Sequence, residues 1–386
     1  MEPKVRFKGF EGEWEKVKLG NVCSVNRGTR ITKKELNTNQ SYPVYQNTNY
    51  PLGYYKNYNV EANNPYVIIG GSAGLIGFSN VPFWAADDCA YFGDNDSLDK
   101  TFLYSTLLFH IAEIKRNVRG SSVPRLDRST LIDLETNLPS FSEQQSIATY
   151  FRTLDSKIQS TSKKLASLKK LKSASLVAMF PQNGESMPKV RFKGFEGEWK
   201  IKSFKELYKR SSIKNDLTYD SSKIISVANM YFKEDNMNTD ETYLLTYNVM
   251  KLGDIAFEGN KSKSFAHGRF VENSIGNGIV SHVFVVFSPL NEDYDIDFWK
   301  YYINNEQVMG SKLVRCTKSS TMMTDLVVDD FLKETILVPS LEEQQELGRY
   351  FATLDLKIAR ETARLEKLKQ IKLACLDKMF VSLQSQ

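Results

Sequence analysis

The sequence is poor in the residues around which metal and redox chemistry is organised. Its three histidines, His110, His267 and His282, are scattered with no ligand spacing, and its four cysteines, Cys23, Cys89, Cys316 and Cys375, stand far apart. No C-x-x-C pair is present, so neither a structural zinc site nor a disulfide framework is supported, and the cysteines read as free thiols. No stretch reaches the 18 or so apolar residues of a membrane span, and the opening MEPKVRFKGFEGEW lacks the apolar core of a secretory signal. A cytoplasmic protein with no membrane partner is expected.

What is present is ordinary globular material in generous length. The 386 residues exceed one common domain and suggest two. Lys and Arg number 51 against 46 Asp and Glu, a net charge of +5 that is compatible with a polyanionic partner but decides nothing alone.

Internal repetition is the strongest signal. The segment PKVRFKGFEGEW, Pro3 to Trp14, recurs unchanged from Pro188 to Trp199, an offset of 185. A second pair, LPSFSEQQSIATYFRTLDSKI from Leu138 and VPSLEEQQELGRYFATLDLKI from Val338, is offset by 200. The stretch between the frames is therefore 15 residues longer in the second half, and its sequence differs almost throughout. Drift after duplication would have blurred the frames as well. Shared frames around unshared inserts suit two similar modules that must read two different things.

The second frame is helical. Ser140 with Glu143, and Ser340 with Glu343, fit the capping box that satisfies free N–H groups at a helix start. Apolar residues follow at Ile147, Phe151, Leu154, Ile158, Leu165 and Leu168, and at Leu347, Phe351, Leu354, Ile358, Leu365 and Leu368, steps that form a heptad seam. Helices over roughly 143–180 and 343–380 would each be about 55 Å long, and their seams are expected to bury one another in an antiparallel coiled coil. PQNGESMPK, Pro181 to Lys189, separates the halves.

The inserts read as mixed α/β with short strands. YVIIG (Tyr66 to Gly70) and LIGFS (Leu75 to Ser79) form a hairpin signal, and TFLYSTLLFHIAEIKRNV (Thr101 to Val118) a helix. In the second half the order returns: strands in GDIAFEGN (Gly253 to Asn260) and VSHVFVVFS (Val280 to Ser288), then a helix in DIDFWKYYINNEQV (Asp295 to Val308).

Catalytic motifs do not assemble. Asn63-Asn64-Pro65-Tyr66 departs from the N-P-P-Y loop of amino-methyltransferases at its second position, and no glycine-rich turn for a methyl donor precedes it. The glycines at 70, 71, 74 and 77 lack the Lys-Ser or Lys-Thr of a phosphate loop; they read as hairpin geometry or as a place where backbone approaches DNA. Asp87-Asp88 lacks the lysine pattern of a nuclease.

Nucleic-acid signals are better. The tract Tyr42 to Asn59 mixes aromatics, among them Tyr45, with Gln46 and Asn47, types that pair with adenine in the major groove. Basic residues recur at matching places: Arg27, Arg30 and Lys33 against Lys214 after the first frame, and Arg119 and Arg125 against Lys318 before the second. Such side chains position a duplex by its phosphates, while Ser72, Ser121 and Ser319 stand where hydroxyls could reach base edges. KSKSFAHGR, with Lys261, Lys263 and Arg269, is the expected base-reading loop of the second module.

Two variable modules, each followed by a helix opening P-S-x-x-E-Q-Q and continuing Y-F-x-T-L-D-x-K-I, and each introduced by P-K-V-R-F-K-G-F-E-G-E-W, closely resemble the specificity subunit of bacterial type I restriction–modification systems. The resemblance covers the whole chain. It implies a first target recognition domain over 1–140, a spacer helix over 141–182, a second domain over 183–340 and a second helix over 341–386. It further implies double-stranded DNA as ligand, read at a bipartite asymmetric site, with two modification (methyltransferase) subunits and two ATP-dependent restriction subunits as partners. S-adenosylmethionine, ATP and magnesium would belong to those partners, and this chain would be a non-catalytic subunit holding no metal or cofactor. A coiled-coil scaffold with protein-binding ends is the alternative from another class; a self-contained methyltransferase is disfavoured by the missing motifs.

Overall fold

The computed structural model describes residues 2–182, 184–234, 240–290, 294–319 and 323–381. The fold is mixed α/β and divides into two compact units, Met1–Lys163 together with Ala363–Gln386, and Lys164–Thr362. Both long helices pass from one unit to the other. They span Phe141–Ala178 and Leu341–Met379, close to the predicted limits. The first contains no glycine or proline to weaken it.

Within the first unit the start of one helix runs antiparallel to the end of the other: Asp155 meets Lys372 at 2.6 Å, Tyr150 meets Cys375 at 3.3 Å, and Phe151 faces Phe380. Within the second unit the pairing is Lys164 with Glu361, Lys172 with Asp355, Ser175 with Tyr350 and Phe180 with Phe351. The twelve predicted seam residues are all buried or half-buried. The seven-residue steps from Ile158 to Leu165 and from Ile358 to Leu365 conceal two further inward positions, Thr161 and Glu361, each only 5% exposed. Their polar character hid them from an apolar count.

Each unit carries the same antiparallel four-stranded sheet. In the first its order is Val25–Arg27, Cys89–Phe92, Asn64–Ile68, Ile76–Ser79; in the second it is Tyr208–Ser211, Val285–Pro289, Ile255–Glu258, Arg269–Glu272. A two-stranded ribbon closes each unit, Glu15–Lys18 on Glu135–Leu138 and Lys200–Ser203 on Thr335–Val338, so the strand after the duplicated dodecapeptide pairs with the strand before a long helix. The cores match too. Trp14, Phe102 and Phe151 enclose Met379 and Phe380, while Trp199, Phe298, Tyr302 and Phe351 enclose Met179 and Phe180.

The frames are joined by a buried ion pair. Arg6 donates from Nε and Nη2 to the two carboxylate oxygens of Glu143 at 2.8 and 2.7 Å, and Arg191 does the same to Glu343 at 2.6 and 2.7 Å. This corrects the expected capping box. Ser140 Oγ accepts from the Glu143 N–H at a long 3.4 Å, and Ser340 from Glu343 equally, but the glutamates are engaged by arginine. Their neighbours complete the joint: the Gln144 amide donates to Pro139 O and accepts from Asp99 N, and Gln344 repeats this with Pro339 O and Asp295 N.

Three predicted elements are broken. The helix over Thr101 to Val118 divides at His110 into Lys100–Phe109 and Ile111–Arg116. The helix over Asp295 to Val308 stops at Tyr302 and restarts at Glu306, because the Asn305 side chain accepts from Gln307 N and caps a second helix, Glu306–Cys316. VSHVFVVFS is two strands in two sheets, Gly278–Val280 on Asn248–Met250 and Val285–Pro289 on Ile255–Glu258, with a turn between them.

Glu143 is 1% exposed, so removing its arginine strands a carboxylate in the core. Arg6→Met should lower stability by about 3 kcal/mol, and adding Glu143→Met should recover most of that loss, as replacing both members of a buried pair does. Urea unfolding of the full chain, followed for the two variants against the parent, reads both effects.

Candidate nucleic-acid interface

In the first unit the sheet delivers several loops to one place. Strand Asn64–Ile68 ends at Ile69, whose carbonyl accepts from Leu126 N, and Gly70 bridges to Arg125. Arg125 is itself fixed by paired backbone bonds with Arg119, each 2.8 Å, closing a small hairpin whose turn exposes Ser121. On the adjoining side Ser72 N donates to Asn47 O at 3.0 Å, which brings the polar tract beside the glycine turn. Gly71 has φ 79° and Gly74 φ 83°, a left-handed geometry that explains the glycines as a turn. Asp87 and Asp88 sit among these loops. Arg27 Nε donates to Asp87 O at 2.6 Å, Gln46 reaches the Asp87 carboxylate at 3.4 Å, and Arg125 Nη1 meets Asp88 at 3.1 Å.

Sequence reasoning thus named Arg27, Gln46, Asn47, Ser72, Arg119, Ser121 and Arg125 separately, and the fold gathers their segments. It missed Asp87 and Asp88 as partners of Arg27, Gln46 and Arg125, because an acidic pair is no signal for a polyanion. Tyr45 has a different post: its ring stacks on Tyr66 with centroids 4.4 Å apart, packed against Phe83. Arg30 and Lys33 are exposed on the following segment, Lys33 in the 3-10 turn Lys33–Glu35. Asn64-Pro65-Tyr66 lies inside a fully buried strand, with Asn64 Nδ2 donating to Phe92 O.

The second unit repeats the junction with other side chains. Gly259 O accepts from Thr324 N, and Asn260 bridges to Met323, as Ile69 and Gly70 do with Leu126 and Arg125. The hairpin here pairs Thr317–Ser319 with Thr324–Leu326. Lys261 Nζ donates to Ser319 Oγ at 2.7 Å and joins the two loops, with Lys263 and Lys318 exposed beside them. Ser320, which follows the predicted Ser319 in sequence and belongs to the same expected run of hydroxyls, lies outside the described residues.

Two predicted DNA ligands of this unit are engaged internally. Lys214 Nζ donates to Thr246 O and Asn248 Oδ1. Arg269 donates to the buried Glu258 carboxylate and to Ala228 O, both at 2.7 Å, and lies over the Phe265 ring. On the same strand Glu272 is sealed from solvent, with both carboxyl oxygens lacking a hydrogen bond of normal length. Burial pushes its carboxyl well above the ordinary range, the Tyr294 hydroxyl opposing this and the carboxylates of Asp295 and Asp297 adding to it.

Chemical groups elsewhere are quiet. The four cysteines are free, and burial pushes the Cys23 and Cys316 thiols up to about 11 and about 12. Burial holds His110 below the usual imidazole range despite its bond to Glu113. Among the described residues no group of His, Cys, Asp and Glu is placed to hold a metal ion, and no helix is long and apolar enough to cross a membrane.

The duplicated sheet, with divergent polar loops at the same strand ends, has clear relatives. Residues 11–170 match the type I restriction modification DNA specificity domain. The chain is 22% identical over 409 residues to the type I restriction enzyme MjaVIII specificity subunit of Methanocaldococcus jannaschii, covering 94% of this chain and 93% of that one. It is 23% identical over 359 residues to S.MpnORF507P of Mycoplasma pneumoniae, covering 88% and 87%. The crystal structure of the type I restriction–modification S subunit from M. genitalium has the same fold, with a TM-score of 0.69 over all of both chains at 16% identity. Over most of its length the chain is similar to specificity subunits of type I restriction–modification systems.

Two outcomes follow from the strand Arg269–Glu272. Arg269→Ala should destabilise the second unit by roughly 3 kcal/mol, because the Glu258 carboxylate loses its buried partner; thermal unfolding checks this. Folded, Glu272 keeps its proton to higher pH than it does once unfolded, where it ionises at ordinary acidity. Its contribution is therefore complete below the unfolded value and is lost as pH rises toward the raised folded value. Glu272→Gln should match the parent near pH 4 and outlast it increasingly above pH 5, by up to about 1.4 kcal/mol per pH unit.

Proposed function

We propose that the chain is the non-catalytic, DNA-reading subunit of a type I restriction–modification complex. Each unit would read one half of a bipartite, asymmetric duplex site. The observation that carries this reading is the identity of the two skeletons beside the difference of their loops: the sheet order and the bridge from strand end to hairpin are the same, whereas Gly70 and Arg125 in one unit are Asn260 and Met323 in the other. A fold held constant with its loop chemistry exchanged is what separate specificities on a common frame require.

The exposed cations of these loops, Arg119, Lys263 and Lys318 among them, suit phosphate contacts that set the register of the duplex. The duplicated frames offer two nearly equivalent faces, suited to two copies of one modification subunit; two restriction subunits would complete the complex. Methyl transfer, ATP use and cleavage, with S-adenosylmethionine and magnesium, would belong to those partners.

Modularity is the test. Exchanging residues 15–137 for the corresponding stretch of a relative should change one half of the methylated site and leave the other as it was, when adenine methylation is mapped across a host genome carrying the complex. Loss of both half-specificities in a folded, assembled chimera would refute independent reading.

A further inference from the structure

We propose that Arg125, held by Asp88, reads a guanine through its O6 and N7 atoms in the half-site recognised by the first unit. The proposal rests on the DNA-reading function above and adds a specific base contact to it.

The backbone beneath Arg125 is unusually well fixed for a loop. It is bonded in both directions to Arg119, bridged to Gly70, and followed at once by the Leu126 to Ile69 bond. The guanidinium is fixed as well. Asp88 accepts from Nη1 at 3.1 Å, while the arginine side chain remains 59% exposed. Asp88 owes its position to Gly70: a Cβ at that residue would overlap the Asp88 carboxylate. An arginine oriented by a carboxylate presents the rest of its planar fork in a single direction, the geometry that guanine requires.

Stability does not explain the pair. An ion pair this exposed contributes about 0–1 kcal/mol. A phosphate contact fits poorly, because the Asp88 carboxylate on the guanidinium would repel it. A base edge suits the surroundings better: Gln46 and Asn47 stand on the neighbouring segment with amides of both hydrogen-bonding senses. The second unit has Met323 at the equivalent bridge, so the feature differs between the halves, as a reading residue must and a scaffold residue need not.

The test uses the chain assembled with its modification subunits. Affinity is measured by fluorescence anisotropy for the mapped target duplex and for every single-base variant of both half-sites, at several salt concentrations. The parent should prefer G·C at one position of the first unit's half-site by roughly 10- to 100-fold. Arg125→Ala should lose that preference alone, keeping every other preference and its melting temperature. Asp88→Asn should keep guanine as the preferred base with a smaller margin, since the fork is no longer held. An Arg125→Ala complex weakened equally on all duplexes, with the salt slope reduced by about one, would make Arg125 a phosphate ligand and overturn the proposal. Unchanged affinities and preferences would overturn it too, by placing Arg125 outside the interface. A parent complex without any sequence preference would overturn the DNA-reading function itself, and this proposal with it.

Discussion

A guanidinium locked onto a buried carboxylate at the first turn of each long helix is the joint on which the molecule depends. Glu143 and Glu343 are almost wholly enclosed, and a carboxylate in such a place is tolerable only with a partner supplying two directed bonds. That partner comes from the duplicated dodecapeptide, 137 residues away in the first unit and 152 in the second. The same turn supplies Gln144 or Gln344, which satisfies the backbone at Asp99 or Asp295 where the module's own helix begins. One turn of helix thereby fixes the opening of the module, its last helices and the start of the coil. This explains why the most conspicuous repeats in the sequence are the two that meet.

With the joint supplied by the frames, the inserts are released from holding the fold together. Their strands need only supply buried residues in the sheet order shared by both units, which many sequences satisfy. Loops between those strands then diverge freely. Function concentrated at strand ends, on a scaffold stabilised elsewhere, is the usual division of labour in a binding module. One residue shows how far the frame itself may bend: Gly348 replaces Ala148 because its Cα lies against Asp295 and Phe298 at the start of a neighbouring helix, where a methyl group would not fit. A helix-weakening residue is accepted for that close approach.

Legibility in the sequence followed the same division. The long helices, their seam and the duplicated halves were readable because heptads and exact repeats are periodic signals. Thr161 and Glu361 were not, since a polar residue inside a seam looks like a solvated one until its neighbours are placed. Elements broken by a local cap, as at Asn305, or shared between two sheets, as in Val280 to Ser288, defeated a reading that sees only apolar runs. The candidate site was legible as a list of basic and amide residues but not as an arrangement. Nothing local marks Arg269 as the partner of Glu258 or Lys214 as a clasp on Thr246 and Asn248, because those pairings depend on the sheet register.

The net charge of the chain, +5, is modest. Affinity for a duplex grows with each phosphate neutralised, but it grows for every sequence alike, so a subunit whose task is discrimination gains little from a large basic surplus. Internal pairing of Arg27 with the Asp87 carbonyl, Arg125 with Asp88 and Lys261 with Ser319 converts mobile cations into oriented ones. Orientation reduces the entropy lost when a side chain meets a base edge, and it penalises any edge that does not match. On the proposed function, aspartates beside these cations would trade general attraction for selectivity, and the loops that carry them are where the two halves differ.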